Sequence, residues 1–343
     1  MPAEWEPHAA TWLSWPHNPA TWPGKVEVIP QTWVEIVRAL LPGEEIHLLV
    51  RDETVAAEAR RFLGDAGLIG PRLHLHRVKT NDGAWMRDVG PTFVANEGGE
   101  LAAVDWTFNA WGGKYGPWDD DDRVAAQVAE IAGVPRFAPG IVLEGGSIEV
   151  NGRGTLLTTE SCLLNPNRNP GLGRGDIEKI LREYLGVRHI LWLGDGIVGD
   201  DTDGHIDDLT RFVDPRTVVT VTTDDSTDPN YEPLTANQRR LRDMRDQDGV
   251  PLRVLTLPMP RAVIYEEQQL PASYANFYIG NDVVLTPTFA QPSDEVAMRV
   301  LADLFPSRRI VGIHAVDLVW GLGTFHCVTQ QQPQARRRSR NQA

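Results

Sequence analysis

A unit of strand, tight turn and strand recurs along this chain, and that recurrence restricts the available folds more than any other feature. One copy runs 92–105, a second 147–159, a third 209–221 and a fourth 275–287. Each is a β-rich run, a polar or Gly/Pro turn and a second β-rich run, which is the pattern of a hairpin. Val94, Val150, Val213 and Ile279 hold matching places, spaced 56, 63 and 66 residues apart. Self-similarity at a near-constant spacing marks a repeat architecture.

Each hairpin is followed by a helical pattern, at Arg123–Ala132, Asp176–Tyr184, Leu234–Arg245 and Asp294–Leu304. Apolar residues recur there at helical spacing, and Asp176 and Asp294 sit near helix starts, where the dipole favours an acid. A further strand follows most of them, at His189–Leu193, Leu252–Leu257 and Arg309–His314. The unit is therefore strand, strand, helix, strand. A fifth unit is split between the ends: Trp12–Trp15 pairs with Phe325–Gln331, and the helix Gln31–Leu40 and the strand Glu45–Val50 complete it. A unit shared by both termini closes a ring, which removes unpaired sheet edges. An ordinary α/β sheet with look-alike hairpins also fits the pattern; the closed ring is the preferred reading. It gives one α/β domain over residues 1–333, with a basic, aperiodic tail at 334–343 expected to be disordered.

With 343 residues and 41% hydrophobic content the chain can build a sizeable core. It has two cysteines, Cys162 and Cys327, which argues against a disulfide framework and suits a reducing compartment. No signal peptide pattern opens the sequence and no apolar run approaches a membrane span, so a cytoplasmic location is expected. The net charge of −14 repels phosphate backbones, which disfavours nucleic acid, and mildly favours a cationic substrate.

The chemistry lies in register with the repeat. Six residues before each aligned apolar position stand Asp88, Glu144 and Asp207, with Ser273 in the fourth unit, flanked by Tyr274 and Asn276. Cys327 occupies the corresponding start of the split unit, after Gly321 and Gly323. Acidic residues beside glycines are also ordinary turn formers, and a lone cysteine is often an inert core residue, as Cys162 in its β-rich run is expected to be. Three carboxylates in register with a thiol are harder to assign to turns. His205 lies two residues before Asp207, so on a strand both side chains would face one ligand. The acidic stretch 200–208 does not fit an EF-hand, and it is short of His and Cys for zinc; no metal is expected. Carboxylates crowded into a pocket repel one another until a cation enters, and a guanidinium matches them bidentately. A thiolate beside it could attack the guanidinium carbon, with His205 as general acid and base. The implied chemistry is hydrolytic deimination through a thiouronium intermediate.

These stretches carry a resemblance. They are Met1–His8 with Trp15-Pro16, Asn81–Pro91, Phe108–Tyr115, Leu143–Ser147, Leu163–Pro170, Asp201–Asp207, Asn276–Tyr278 and His326–Pro333. In this order they are similar to the agmatine deiminases and the bacterial peptidylarginine-deiminase-type branch of the guanidino-group-modifying enzymes. The resemblance implies a five-fold pseudosymmetric α/β propeller, pentein-like, without metal or organic cofactor. It implies a C–N hydrolase for a small cationic guanidino substrate, and it leaves a homo-oligomer open. It implies Cys327 as nucleophile, His205 as general acid/base, Glu144 orienting His205, and Asp88 and Asp207 clamping the guanidinium. Trp85, Asp201 and Trp111 are the further substrate contacts it points to. Agmatine is the leading substrate; another guanidino compound or peptidyl arginine is the alternative, and a non-catalytic guanidino- or polyamine-binding protein is the third reading. Two departures stand out. The family usually has Gly-Gly-Gly-Asn-Ile-His-Cys where this chain has Gly321-Leu-Gly-Thr-Phe-His-Cys327, and often Glu where it has Asp201. Both bear on the substrate's far end. Segments 106–122, with Trp111, Tyr115 and Trp118, and 258–273, with Tyr265, Glu266 and Glu267, are candidate lids.

Overall fold

The computed structural model describes residues 1–335, so most of the expected basic tail lies outside the described residues. Five mixed sheets follow one another along the chain. In four of them an antiparallel hairpin is joined by a crossover to a third, parallel strand. These are Thr92–Ala95, Leu101–Val104 and Arg136–Phe137; Glu149–Val150, Thr155–Thr159 and His189–Leu193; Thr210–Asp214, Thr217–Thr222 and Arg253–Pro258; and Tyr278–Ile279, Val283–Thr288 and Arg309–His314. The crossovers carry helices Val124–Ala132, Arg174–Leu185, Tyr231–Asp243 and Pro292–Leu304. Their apolar stripes explain the burial: Leu234, Asn237 and Leu241 face inward in one, Ala297 and Leu301 in another.

The fifth sheet joins the two ends of the chain. His8–Ser14 pairs antiparallel with Gln330–Pro333, Trp12 opposite Gln330, and parallel with Glu45–Val50. Helix Ile29–Leu40 makes the crossover. The split unit is therefore present, with two differences from expectation. The terminal strand begins at Gln330, because Cys327 lies in a turn over 325–328. This sheet also gains a second crossover, helix Glu53–Asp65 leading to strand Leu73–Arg77.

A buried ionic network stitches the units together. Glu4 accepts from Ile279 N (2.8 Å) and from Arg87 Nη2 (3.3 Å). It also lies 2.8 Å from His326 Nε2 and 2.9 Å from Arg211 Nη2. Arg211 Nε donates to Glu149 at 2.8 Å, and its Nη1 to the Phe277 carbonyl at 2.6 Å. Burial works to raise the Glu4 carboxyl, but Arg211, His326 and Arg87 outweigh it and hold it well below the usual range. Each of the five units contributes to this network. Among the described residues no helix is long and apolar enough to cross a membrane.

Candidate active site

The turns that begin the units are packed on one another and carry the chemical residues. Asp88 lies in the short helix Met86–Val89, Glu144 just before the turn Gly145–Ser147, and Asp207 in the turn Ile206–Asp208. Close approach needs the glycines here. A Cβ on Gly145 would stand 2.2 Å from the Arg87 carbonyl oxygen. At Gly146 the position of a Cβ lies 2.5 Å from His205 Nδ1, 3.0 Å from Asp207 Oδ2 and 3.0 Å from Asp88 Oδ1. One point above Gly146 is thus shared by an imidazole and two carboxylates. The sequence expectation that His205 and Asp207 share a strand face is corrected: a 3₁₀ turn starts at Ile206. The two side chains converge all the same.

Cys327 joins this group. Its Sγ is 3.7 Å from Asp207 Oδ2 and accepts from Asn276 Nδ2 at 3.1 Å. Asn276 fixes the whole cysteine turn: its Oδ1 accepts from Thr324 Oγ1 (2.9 Å), His326 N (3.1 Å) and Cys327 N (3.4 Å). The turn's glycines do not take positive φ. That conformation falls on Leu322, at φ 72°, while a Cβ on Gly321 would lie 2.6 Å from Trp22 Nε1 and one on Gly323 2.7 Å from the Trp85 ring. The glycines serve close approach to two tryptophans. Thr324 and Phe325 are buried.

Burial is the main force on the site's protons. It pushes Asp88 up to about 8, assisted by the charges of Asp207 and Glu144, so this carboxyl is protonated at neutral pH in the free protein. Burial also pushes the Cys327 thiol well up, reinforced by Asp207, Asp208 and Asp88. His205 is pressed down to about 3 by burial, and is neutral. In Asp207 the opposing burial is overcome by the His326 hydrogen bond and charge, so it stays below its ordinary value; His326 Nδ1 is 2.6 Å from Asp207 Oδ2. Asp207 Oδ1 and His205 Nε2 are buried without a partner.

Glu144 is held by Arg168, whose Nε donates to Oε1 at 2.6 Å. Its Oε2 has no partner, and burial raises the carboxyl despite Arg168. Glu144 makes no hydrogen bond to His205, although donor atoms of Glu144, Cys162 and His205 lie within 4.8 Å of one another. A metal there would need a thiolate, and burial keeps the Cys162 thiol well above its ordinary value. Cys162 is fully buried among apolar residues, as a core cysteine.

Segment 106–122 reaches the carboxylates: Trp111 Nε1 donates to Asp88 Oδ2 at 3.0 Å. Ala110 and Trp111 take left-handed φ of 53° and 54°, a strained geometry held by its surroundings. Tyr115 stacks edge-on against Trp111 and donates to the Asp201 carboxylate, and Lys114 bonds the Asp201 carbonyl. Asp201 is thereby tied to this segment. Trp85 is buried against Trp22 and the turn glycines. Segment 258–273 contains a small hairpin, Ile264–Tyr265 with Gln268–Gln269, and the Tyr265 ring lies tilted against Trp320.

Asn276, His326, Arg168, Asp208, Gly146 and Glu4 hold the site together without having been given roles from the sequence. All but Asp208 stand inside the stretches that carry the family resemblance. Their work is to position other side chains, and spacing alone does not reveal partners so far apart in the chain.

Comparison with known proteins identifies the family. The family model for the Porphyromonas-type peptidyl-arginine deiminases matches residues 1–333. The agmatine deiminase of Stutzerimonas stutzeri is 41% identical, with 97% of this chain and 95% of the relative covered. That of Ectopseudomonas mendocina is 40% identical over the same shares. The solved agmatine deiminase of Enterococcus faecalis superposes with a TM-score of 0.92 at 36% identity, covering 98% of this chain and 96% of that one.

Proposed function

The chain belongs to the Porphyromonas-type peptidyl-arginine deiminase family, and from that footing we propose that it hydrolyses agmatine to N-carbamoylputrescine and ammonia. The observation that carries this reading is the point above Gly146 shared by Asp88, Asp207 and His205, with the Cys327 sulfur 3.7 Å from Asp207. Relatives at about 40% identity that are named agmatine deiminases support the substrate.

The chemistry follows from the proton positions. A guanidinium entering between Asp88 and Asp207 displaces the proton of Asp88 and offsets the repulsion that keeps Cys327 protonated. The thiol proton passes to His205, and the thiolate attacks the guanidinium carbon. The resulting tetrahedral adduct is neutral. His205 returns the proton to one amino nitrogen, the C–N bond breaks, and ammonia leaves a cationic thiouronium on Cys327. Water then gives a proton to His205 and its oxygen adds to the same carbon. The C–S bond breaks as the adduct's hydroxyl proton passes to the departing thiolate, the ureido product leaves, and His205 gives up its remaining proton to solvent, restoring the starting protonation. In this reading Glu144, with one unpartnered oxygen near His205, positions the imidazole. Trp111 and Trp85 wall the substrate, and Asp201 lies towards its far end.

We read the five sheets as blades of a five-fold pseudosymmetric propeller. The repeated strand order, the sheet shared by the termini and the network around Glu4 support it. Agmatine, free arginine and a blocked peptidyl arginine, each assayed for ammonia and ureido product, test the function. Agmatine is expected to be the preferred substrate at equal concentration. Absence of product from agmatine at millimolar concentration sinks the proposal, and turnover of the peptide instead would transfer it to that substrate.

A further inference from the structure

The terminal sheet carries a second cluster of ligating side chains, distinct in composition from the Cys327 site. In its parallel register Trp12 pairs with His47, and His47 with His74, so the three form a row across neighbouring strands. Glu45 lies two residues before His47 and His76 two residues after His74, which puts all five on one face. The rings are in contact: Trp12 stacks on His47 at 4.4 Å between centroids, and His47 on His76 at 4.9 Å with planes 6° apart.

Donor atoms of Glu45, His47 and His74 lie within 4.8 Å of one another. His74 Nε2 is buried, 3.3 Å from Glu45 Oε2, yet makes no hydrogen bond to it or to any other group. His47 Nε2 is 3.9 Å from the same oxygen. Two ligands of a tetrahedral zinc ion stand about 3.4 Å apart, given Zn–N and Zn–O bonds of about 2.1 Å. One pair already has that spacing, and the other needs a shift of about half an ångström from the exposed Glu45 side chain. The opposite nitrogen of His47 is occupied: Nδ1 is 2.8 Å from His76 Nε2. A ligating histidine is commonly fixed in this way, through its second nitrogen, by a neighbour that sets tautomer and ring plane.

We propose that Glu45, His47 and His74 form a binding site for a divalent transition-metal ion of the zinc type, with His76 as a positioning residue. Two imidazoles and a carboxylate suit zinc and its neighbours in the series and are a poor set for magnesium or calcium. A fourth position stays open to water, since Glu45 is exposed and His74 partly so.

The test is a zinc titration by chelator competition on the Cys327→Ser protein, which removes the reactive thiol as a competing ligand. One equivalent is expected to bind saturably. His74→Ala should abolish it, Glu45→Gln should weaken it at least tenfold, and His76→Ala should weaken it about 10–100-fold. Glu45 is at the surface, so its substitution is a safe control for folding, checked by circular dichroism. Absence of a saturable equivalent overturns the proposal. So does an equivalent that persists in both His74→Ala and Glu45→Gln, which would place the ion elsewhere, for example at Glu144, Cys162 and His205.

Discussion

Asp88 shows how a carboxyl buried for a proposed binding role destabilises the protein that carries it. Its carboxyl ionises at about 3.9 when exposed to water and at about 8 in the fold, through burial and the charges of Asp207 and Glu144. Between those values the folded state holds a proton that the unfolded state gives up, so stability falls as pH rises across that window. Asp88→Asn removes this penalty. Its thermal midpoint relative to wild type is expected to climb from pH 4 to pH 8 while activity is lost; a pH-independent difference would contradict the assignment. The same ionisation makes kcat/KM rise with pH up to about 8, because below it the guanidinium must displace a proton. Gly146 offers a second test. Its alanine variant puts a methyl where His205, Asp207 and Asp88 converge, so kcat/KM should drop by at least about 10²-fold in a protein that remains folded, as misplacement at reacting centres does. Near-normal activity would mean the cation sits elsewhere. Glycine's role at 146 was not legible in the sequence, because it depends on three side chains from distant segments. The carboxylates were legible because they repeat in register.

At the scale of elements, the cysteine turn is held by another unit. Asn276, beside the strand Tyr278–Ile279, receives Thr324, His326 and Cys327 on one oxygen and donates to both Sγ and Asp208 Oδ1. Removing it takes away the turn's shared acceptor and the donor to the sulfur. Asn276→Ala is expected to lower kcat about 10²-fold with a smaller change in KM, measured by steady-state kinetics; a raised KM with kcat unchanged would assign it to substrate binding instead. Strands and helices of the repeat were largely readable, since their apolar periods are local. Two features were not. The helix Glu53–Asp65 has a sequence-visible cap, Asp52 accepting from Val55 N, but it falls outside the four-element pattern of the other units. The 3₁₀ turn at Ile206–Asp208 breaks the strand expected there, because Asp208 is drawn inward to Asn276.

For the whole molecule, the ties between units centre on Glu4. It ties the N-terminal segment to Arg87, Arg211 and His326, and through His326 to Asp207. Breaking a buried ion pair by removing one partner strands the other charge and costs about 3–5 kcal/mol. Glu4→Gln should therefore lower stability by about that amount in chemical denaturation, and should slow turnover through loosened His326 and Asp207. A variant as stable as wild type would mean the arginines find other partners. That the termini share a sheet was legible from strands at both ends; the network beneath was not, because an ionic cluster has no period in sequence. The proposed chemistry rests on Cys327 attacking a guanidinium carbon. Mixing the protein with agmatine, quenching in acid within the first turnovers and analysing the Cys327 peptide by mass spectrometry tests it directly. The predicted result is a peptide heavier by agmatine less one ammonia, absent from Cys327→Ser, which also releases no ammonia. Turnover without that adduct, together with ammonia release by Cys327→Ser, would contradict it.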